Sequence, residues 1–148
     1  MVDALDRLIL SHLERDARVG FAELGRRVGL SSPAVAERVR RLEEAGVIVG
    51  YNARIDPAKL GRAITAYVNL TIPGEECPKV GTHVEGIPAV VECHRITGDH
   101  SAVLKLAIGS IEELEAVVDR LVRIGKPSTS IVLSSPIAFR PLTDPPPK

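Results

Sequence analysis

The sequence predicts an α+β protein of two domains, with a small helical domain followed by a domain that mixes strands and helices. Residues 1–53 show helical periodicity with clear start and stop signals. Residues 63–140 contain runs that alternate apolar and polar side chains, separated by two helical segments. Residues 54–62 include an Asp-Pro step and are interpreted as a linker, and residues 141–148 are interpreted as a disordered tail.

The first helix begins near Asp3, whose side chain can cap it. Apolar side chains follow at the spacing of one helical face: Leu5, Leu8, Ile9 and Leu13. A second, two-turn helix carries Phe21, Leu24 and Val28 and ends at Gly29, since glycine tolerates the left-handed conformation of a helix end. Leu30 follows and is expected to be buried.

The third helix begins at Ser31 or Ser32, which cap it, with Pro33 in its first turn, and it ends at Gly46. Its inner face consists of Val35, Val39 and Leu42. The apolar run at residues 47–53 is bounded by glycines and predicts a strand or wing. The first domain is therefore expected to be a winged helix-turn-helix.

The second domain begins with a strand whose buried positions alternate with polar ones: Ile64, Ala66, Val68, Leu70 and Ile72. A weaker helix is predicted at residues 75–85, and residues 89–97 and 101–108 form a hairpin. Ser110 and Glu113 form a capping box for a helix that ends near Ile124, and residues 129–134 form the last strand. The order β-α-β-β-α-β predicts a ferredoxin-like fold, in which both helices cover one face of the sheet.

The other face of this sheet has no helix to cover it. Apolar side chains expected there are Val91, Cys93, Val103 and Ala107. Such a face implies a partner surface, so a homodimer is predicted.

The composition describes a globular chain of 148 residues, with 19 Lys plus Arg, 19 Asp plus Glu and 45% hydrophobic residues. The two cysteines form no disulfide framework, which favours a reducing, cytoplasmic location. The sequence contains neither a signal peptide nor 18 consecutive apolar residues, so we expect no export and no membrane partner.

The charges are unevenly distributed along the chain. Residues 18–41 contain six arginines and two glutamates, a local net charge of +4. The chain has two Phe, two Tyr and no Trp, too few aromatic rings to stack single-stranded nucleic acid. The basic segment therefore predicts double-stranded DNA as the partner.

Residues 21–42 match the DNA-reading helix-turn-helix in length and order, the alternative being an ordinary helical hairpin. Residues on or near the exposed start of the third helix are expected to meet base edges: Ser31, Ser32, Ala34, Ala36, Glu37 and Arg40. The other arginines are expected to contact phosphates, although Arg38 can instead pair with a glutamate: Arg26, Arg27, Arg38 and Arg41.

Four stretches read DALDRLILSHLERD from residue 3, ELGRRVGLSSPAVAERVRRLEEAGVIVGYNARIDPAKLG from residue 23, VVECHRITGDHSAVLKLAI from residue 90 and STSIVL from residue 128. Together they resemble the Lrp/AsnC family of feast/famine transcription regulators. The resemblance implies a winged helix-turn-helix followed by a ferredoxin-like domain that senses small molecules, usually amino acids. It also implies nucleoid-associated dimers that often assemble further, commonly to octamers.

The hairpin turn is the predicted effector site. Asp99 can hold an amino group, while turn N–H groups and the Thr129 hydroxyl can hold a carboxylate. The predicted contacts are Gly98, Asp99, His100, Ser101 and Thr129. Ser101 stands where the family commonly has a second acid and Pro127 where it often has Thr, so we expect a neutral amino acid and weaker binding. The alternative interpretation is an Asx-turn that only shapes the hairpin.

Two other functions remain open. Sirohaem decarboxylases look like the same two-domain architecture, and His94, Arg95 and His100 are the close cluster that could serve such an enzyme. A nucleoid-architectural protein would bind many DNA sequences alike. We expect a regulator with no catalytic residues and no cofactor. We also expect no metal site, because strand alternation separates Cys93 from His94, and Cys77 and His83 lack close ligand spacing.

Overall fold

The computed structural model describes residues 2–143, which divide into two compact units. The helical unit combines the chain up to Arg54 with the segment from Pro136 onward, and the sheet unit comprises Ile55–Ser135. Residues 55–62, most of the predicted linker, therefore group with the sheet unit. No helix within residues 2–143 has the length and apolar character needed to cross a membrane.

Helix α1 comprises Ala4–Arg15 and is capped as predicted. Asp3 Oδ1 accepts from the Asp6 N–H at 2.7 Å, and Asp6 Oδ2 accepts from the Asp3 N–H at 3.1 Å. Ile9 and Leu13 are buried, whereas Leu8 is 41% exposed, so its assignment to the inner face was wrong. The acid Asp6 takes a buried place on that side of the helix instead, a role that the apolar pattern did not predict.

Helices α2, Phe21–Val28, and α3, Ser32–Glu44, confirm the predicted helix-turn-helix. Gly29 ends α2 in the left-handed region at φ 72°, and Ser31 caps α3. The predicted inner face of α3 is buried against α1 and α2. Leu30 is only partly buried, although it packs against the same core.

The predicted strand or wing at residues 47–53 is not formed within the described chain. After α3, the N–H groups of Val47 and Ile48 both donate to the Leu42 carbonyl, at 2.9 and 3.1 Å. Beyond them, residues 49–53 form neither helix nor strand and have no neighbouring strand to pair with among residues 2–143, and a strand requires such a partner.

The sheet unit has the predicted ferredoxin-like topology. Its antiparallel sheet has the order β2-β3-β1-β4, and α4 and α5 supply buried side chains to the core on one face. The strands are β1 Ile64–Thr71, β2 Val90–Arg95, β3 Ala102–Ile108 and β4 Lys126–Ile131. The helices are α4 Val80–Val84 and α5 Ile111–Val122, and short 3-10 turns occur at Pro57–Leu60 and Cys77–Lys79.

Two element boundaries differ from the sequence prediction. The helix predicted at residues 75–85 divides into the 3-10 turn Cys77–Lys79 and the five-residue α4. The last strand begins at Lys126 rather than at residue 129. Pro127 can lie inside this strand because β4 is at the edge of the sheet. On the outer side of an edge strand, a proline removes no hydrogen bond from the sheet.

A β-bulge in β2 overturns the prediction that Cys93 lies on the open face. Val90 is opposite Leu106 but Glu92 is opposite Lys105, so β2 contains one extra residue between them. Beyond the bulge the faces exchange, and Cys93 packs against the core that α4 and α5 cover. Val91 is 48% exposed, while the partly buried Val103 and the buried Ala107 follow the alternation of β3 toward the open face.

The end of the described chain packs on α1. Glu14 accepts hydrogen bonds from the N–H groups of Leu142 and Thr143, each at 2.9 Å, and from the Thr143 hydroxyl. Arg54 lies 4.5 Å from the centre of the Phe139 ring. The predicted disorder of residues 141–148 is therefore wrong for residues 142 and 143, and residues 144–148 lie outside the described chain.

Candidate nucleic-acid interface and effector site

The turn between α2 and α3 depends on the absence of a side chain at Gly25. Leu30 N–H donates to the Gly25 carbonyl at 2.9 Å, and a Cβ on Gly25 would lie 2.4 Å from the Leu30 carbonyl oxygen. Only glycine permits this approach without moving the backbone. Sequence reasoning missed this residue, although a glycine inside a helix is a signal of close packing.

The exposed face of α3 carries several of the predicted base contacts. Ser32, Glu37 and Arg40 are exposed, and Ala34 and Ala36 are partly buried. Ser31 Oγ accepts from the Ala34 N–H at 3.4 Å, so this hydroxyl caps the helix. Small side chains at the start of the helix leave its backbone accessible to a groove.

Arg40 is held by two carboxylates on the same face of α3. Its Nη2 donates to Glu37 Oε1 at 2.7 Å and its Nε to Glu37 Oε2 at 3.0 Å, while Nη1 donates to Glu44. These carboxylates raise the pKa of Arg40 further above its usual range. The group formed by Arg40, Glu37 and Glu44 thus has a net charge of −1.

Arg38 lies in different surroundings from the other arginines of α3. Its Nη1 donates to Asp3 Oδ2 at 2.7 Å and to Asp6 Oδ1 at 2.6 Å, and its side chain is 22% exposed. The guanidinium lowers the pKa of Asp3. Arg38 therefore pairs with aspartates of α1 rather than with a glutamate, and it ties α3 to the start of α1. Arg41 lies 4.0 Å from Asp6 and remains 55% exposed.

Arg26 and Arg27 share one carboxylate on α2. Arg26 and Arg27 both donate from Nε to Glu23, each at 2.9 Å. Because two arginines face one glutamate, this group has a net charge of +1. Their side chains are 75% and 43% exposed, which leaves them accessible to a phosphate.

The predicted effector turn lies beside the end of β1. Thr71 Oγ1 is 3.1 Å from His100 Nδ1 and donates to the Asp99 carbonyl at 3.4 Å. The Asp99 side chain is exposed and makes no ion pair with any residue between 2 and 143. Gly98 adopts φ 104°, a conformation that favours glycine.

Ser101 is engaged within the fold. Its N–H donates to the Leu70 carbonyl at 2.9 Å, and its Oγ accepts from the Ile72 N–H at 2.9 Å and donates to the Ile72 carbonyl at 3.2 Å. The first of these bonds occupies the Ser101 N–H, one of the turn N–H groups that the sequence assigned to a ligand carboxylate. The turn N–H groups still available to a ligand are thus those of the residues before Ser101.

Thr129 is not brought together with the turn in this chain. It lies opposite Val68, and residues that are opposite in an antiparallel pair share a face. Val68 belongs to the helix-covered core, whereas Thr71, which contacts His100, lies on the other face by strand alternation. The two parts of the predicted effector site are therefore on opposite faces of the sheet.

The strand positions also separate the other candidate side chains. His94 is opposite Val103 on the open face and Cys93 is opposite Leu104 on the covered face, so the two side chains lie on opposite faces, although the face of Cys93 is not the predicted one. Arg95 is opposite Ala102 and so faces away from His94. Burial raises the pKa of the Cys93 thiol. In the part of the chain that the structure describes, no three His, Cys, Asp or Glu side chains are grouped to hold a metal ion.

A helix-turn-helix unit joined to a ferredoxin-like sheet unit defines a class of two-domain DNA-binding regulators. The profile of the AsnC-type helix-turn-helix domain matches residues 2–43, and that of the Lrp/AsnC ligand binding domain matches residues 65–142. The chain belongs to the Lrp/AsnC family of transcriptional regulators.

Relatives of known sequence and structure agree with this assignment. The chain is 45% identical over 134 residues to the uncharacterized HTH-type transcriptional regulator YezC of Bacillus subtilis, covering 90% of this chain and 95% of YezC. The structure of B. subtilis LrpC superposes with a TM-score of 0.88 at 29% identity, covering 94% and 99% of the two chains. A feast or famine regulatory protein of M. tuberculosis, complexed with L-methionine, superposes with a TM-score of 0.85 at 33% identity, covering 95% and 97%.

Proposed function

We propose that this protein regulates transcription by binding specific sites in double-stranded DNA, and that an amino acid modulates its assembly or its DNA binding. The observation that carries the DNA-binding part is the exposed polar face of α3, presented by a glycine-dependent turn in a chain of the Lrp/AsnC family. In a helix-turn-helix, such a second helix enters the major groove.

The DNA contacts divide into two groups. The start and exposed face of α3 meet base edges, through the contacts Ser31, Ser32, Ala34, Ala36 and Arg40, while Glu37 holds Arg40 on that face. Arg26, Arg27 and Arg41 contact phosphates, which supply affinity without sequence preference. Arg38, whose guanidinium is occupied by Asp3 and Asp6, positions α3 and does not contact phosphate.

Footprinting on the DNA upstream of the protein's own gene tests sequence-specific binding. A protected site is expected, and a duplex of that site should bind more tightly at physiological salt than a scrambled duplex of the same composition. Equal affinity for both duplexes would contradict specific regulation and favour the architectural alternative.

The effector is proposed to be a neutral amino acid bound at the turn of residues 98–101. The exposed Asp99 carboxylate offers a partner for an ammonium group, and Gly98 and His100 complete the turn. A related M. tuberculosis protein has been solved with L-methionine. Because Ser101 is engaged within the chain and Thr129 lies on the opposite face, the ligand carboxylate is proposed to bind the N–H groups of residues 98–100.

Calorimetry with each of the twenty amino acids tests this assignment. Binding at up to millimolar concentration is expected for a neutral amino acid, with loss of binding in Asp99→Ala. Asp119→Ala, which removes an exposed acid from α5, is the control and should bind as the parent does. Unchanged binding by Asp99→Ala would place the effector elsewhere.

If the effector alters DNA binding, DNA must alter effector affinity by the same factor. Calorimetric titration of the effector in the presence of the operator duplex measures this factor. The coupling would be contradicted if the effector changed the affinity for DNA while DNA left the affinity for the effector unchanged.

The protein is further proposed to be a homodimer that assembles to a higher oligomer such as an octamer, to act on the nucleoid in the cytoplasm, and not to be an enzyme. The open face of the sheet, which carries Tyr67 and Val103, supports the dimer. The separation of His94 from Arg95 gives no support to the sirohaem decarboxylase alternative. Absorbance titration with a porphyrin should therefore show no specific binding.

A further inference from the structure

We propose that Arg40 reads the guanine of one G·C base pair in each operator half-site, with Glu37 as its positioning residue and Glu44 as a competitor that holds Arg40 in the free protein. This inference rests on the sequence-specific DNA binding proposed above. It adds the identity of one base and separates the roles of two neighbouring carboxylates.

Glu37 fixes the plane of the Arg40 guanidinium. The Nε–Oε2 and Nη2–Oε1 bonds, at 3.0 and 2.7 Å, join one edge of the guanidinium to both carboxylate oxygens. A bidentate pair of this kind adds geometric specificity to the attraction of the charges. Since both residues lie on the exposed face of α3, about one turn apart, the guanidinium plane is oriented relative to the helix.

Among residues 2–143, Glu44 alone holds the remaining end of the guanidinium. Arg40 Nη1 donates to that carboxylate, and the Glu44 side chain is 60% exposed. Exposed ion pairs between neighbouring turns of a helix are weak, because water and salt compete with them. A base edge can therefore replace Glu44, while Glu37 keeps the other edge of Arg40 in place.

Only guanine offers the acceptors that this end of Arg40 requires. In the major groove, guanine presents N7 and O6, two acceptors that match two N–H donors. Adenine presents an amino donor beside N7, cytosine presents an amino donor, and thymine presents a methyl group beside O4. An arginine whose plane is already fixed cannot turn to accommodate these edges.

The local charge argues against a phosphate contact by Arg40. Arg40 with Glu37 and Glu44 has a net charge of −1, and Arg41, which also acts on Glu37, brings the local balance to zero, whereas Arg26 and Arg27 with Glu23 have a net charge of +1. Phosphate attraction depends on net positive charge. The two groups therefore differ in the part of DNA that they favour.

Selection of binding sites from a random pool of duplexes tests the proposal. The parent protein is expected to enrich a motif with a guanine that Arg40→Ala and Arg40→Lys no longer require, since lysine keeps the charge but lacks the planar fork. Replacing that G·C pair with A·T should weaken binding of the parent by about 5- to 150-fold and leave Arg40→Ala unaffected. Circular dichroism and the melting temperature establish that both variants fold.

Two outcomes separate failure of this inference from failure of the proposed function. If no motif is enriched at all, sequence-specific regulation itself fails. If a motif is enriched but keeps its bases in Arg40→Ala and Arg40→Lys, the protein is sequence-specific and the assignment of Arg40 is wrong. A uniform loss of affinity on all sequences in Arg40→Ala, with a smaller salt dependence, would identify a phosphate contact instead.

The two carboxylates are expected to act in opposite directions. In Glu37→Gln the ratio of specific to non-specific affinity should fall, and in Glu44→Gln it should rise, each by up to about fivefold. Glu43→Gln is the matched control, because it removes the same charge from α3 but Glu43 accepts from the Tyr51 hydroxyl at 2.8 Å. Equal shifts in all three variants would show a general charge effect and overturn the separate roles.

Discussion

Arg27 and Arg38 carry the same charge, yet their surroundings assign them different tasks. Arg27 shares Glu23 with Arg26 and is 43% exposed, whereas Arg38 is held between Asp3 and Asp6 of α1. A cation that contacts phosphate releases a counterion, so it contributes to the salt dependence of DNA binding. A cation held by two carboxylates of the protein, as Arg38 is by Asp3 and Asp6, is not expected to do so.

Arg27→Ala is accordingly expected to reduce the slope of log K against log salt concentration by about 0.9. Arg38→Gln is expected to leave that slope unchanged, even if it weakens specific binding by releasing α3. Fluorescence anisotropy on a non-specific duplex over a series of salt concentrations measures both slopes. A smaller slope in Arg38→Gln would show that Arg38 contacts a phosphate after all.

The ion pair between Arg38 and Asp3 also makes the stability of the protein depend on pH. Arg38 lowers the pKa of Asp3 in the folded protein, so the folded state binds a proton at this site less readily than the unfolded state. The resulting stabilisation is present above the usual Asp value of about 4 and is lost as the pH falls through the lowered pKa.

Asp3→Asn should therefore be less stable than the parent at neutral pH, and the difference should shrink between about pH 5 and pH 2. The difference in the free energy of unfolding is measured at each pH by urea unfolding, monitored by circular dichroism. Asp119→Asn, whose side chain makes no hydrogen bond or ion pair with the described residues, is the control. A difference that stays constant with pH would contradict the role assigned to Asp3.

At the scale of the elements, the turn between α2 and α3 leaves no room for a side chain at Gly25. A Cβ at Gly25 would lie 2.4 Å from the Leu30 carbonyl oxygen, and the nearest atoms are backbone that cannot rotate away. The turn must open to admit a methyl group. Such a change also moves α3, which carries the base contacts.

Gly25→Ala is expected to lower the free energy of unfolding by about 1–3 kcal/mol, the usual cost of overpacking, and to weaken specific DNA binding. Gly20→Ala is the matched control, because a Cβ there meets no atom within 4 Å. Urea unfolding and operator binding are measured on both variants. A Gly25→Ala variant as stable as Gly20→Ala would show that the turn is not constrained as described.

At the scale of the whole molecule, the open sheet face is the proposed dimer surface. Val103 lies there between Asn69 of β1 and His94 of β2, and Lys105 forms an ion pair with Glu92 on the same face, at 2.7 Å. The face thus combines apolar side chains with polar and charged ones, a mixture that protein–protein interfaces also show.

Light scattering at micromolar concentration should therefore give at least a dimer. Val103→Glu should shift the protein toward monomer, because it would bury an unpaired charge in the interface. Val122→Glu, on α5 and already 58% exposed, is the control and should leave the assembly unchanged. A parent protein that is monomeric would refute the interface.

Local sequence determined most of the architecture. Asp3, Ser31 and Ser110 cap the helices that their positions predicted, because a cap depends on neighbouring backbone N–H groups only. The alternation in β1 likewise predicted its buried face, since strand geometry repeats every two residues. The family resemblance rested on motifs in both domains, and both domains match the family.

Tertiary structure decided the features that depend on a partner distant in sequence. The extra residue in β2, which reverses the face of Cys93, is visible only against the register of β3. Arg38 and Asp6 are 32 residues apart, so their pairing does not follow from the local spacing of either. Residues 47–53 have the composition of a strand but lack a neighbour within the described chain, and a strand exists only through the hydrogen bonds of its neighbour. Periodicity thus determined which residues face inward, and long-range pairing decided which charges and faces remain available for DNA, effector and partner.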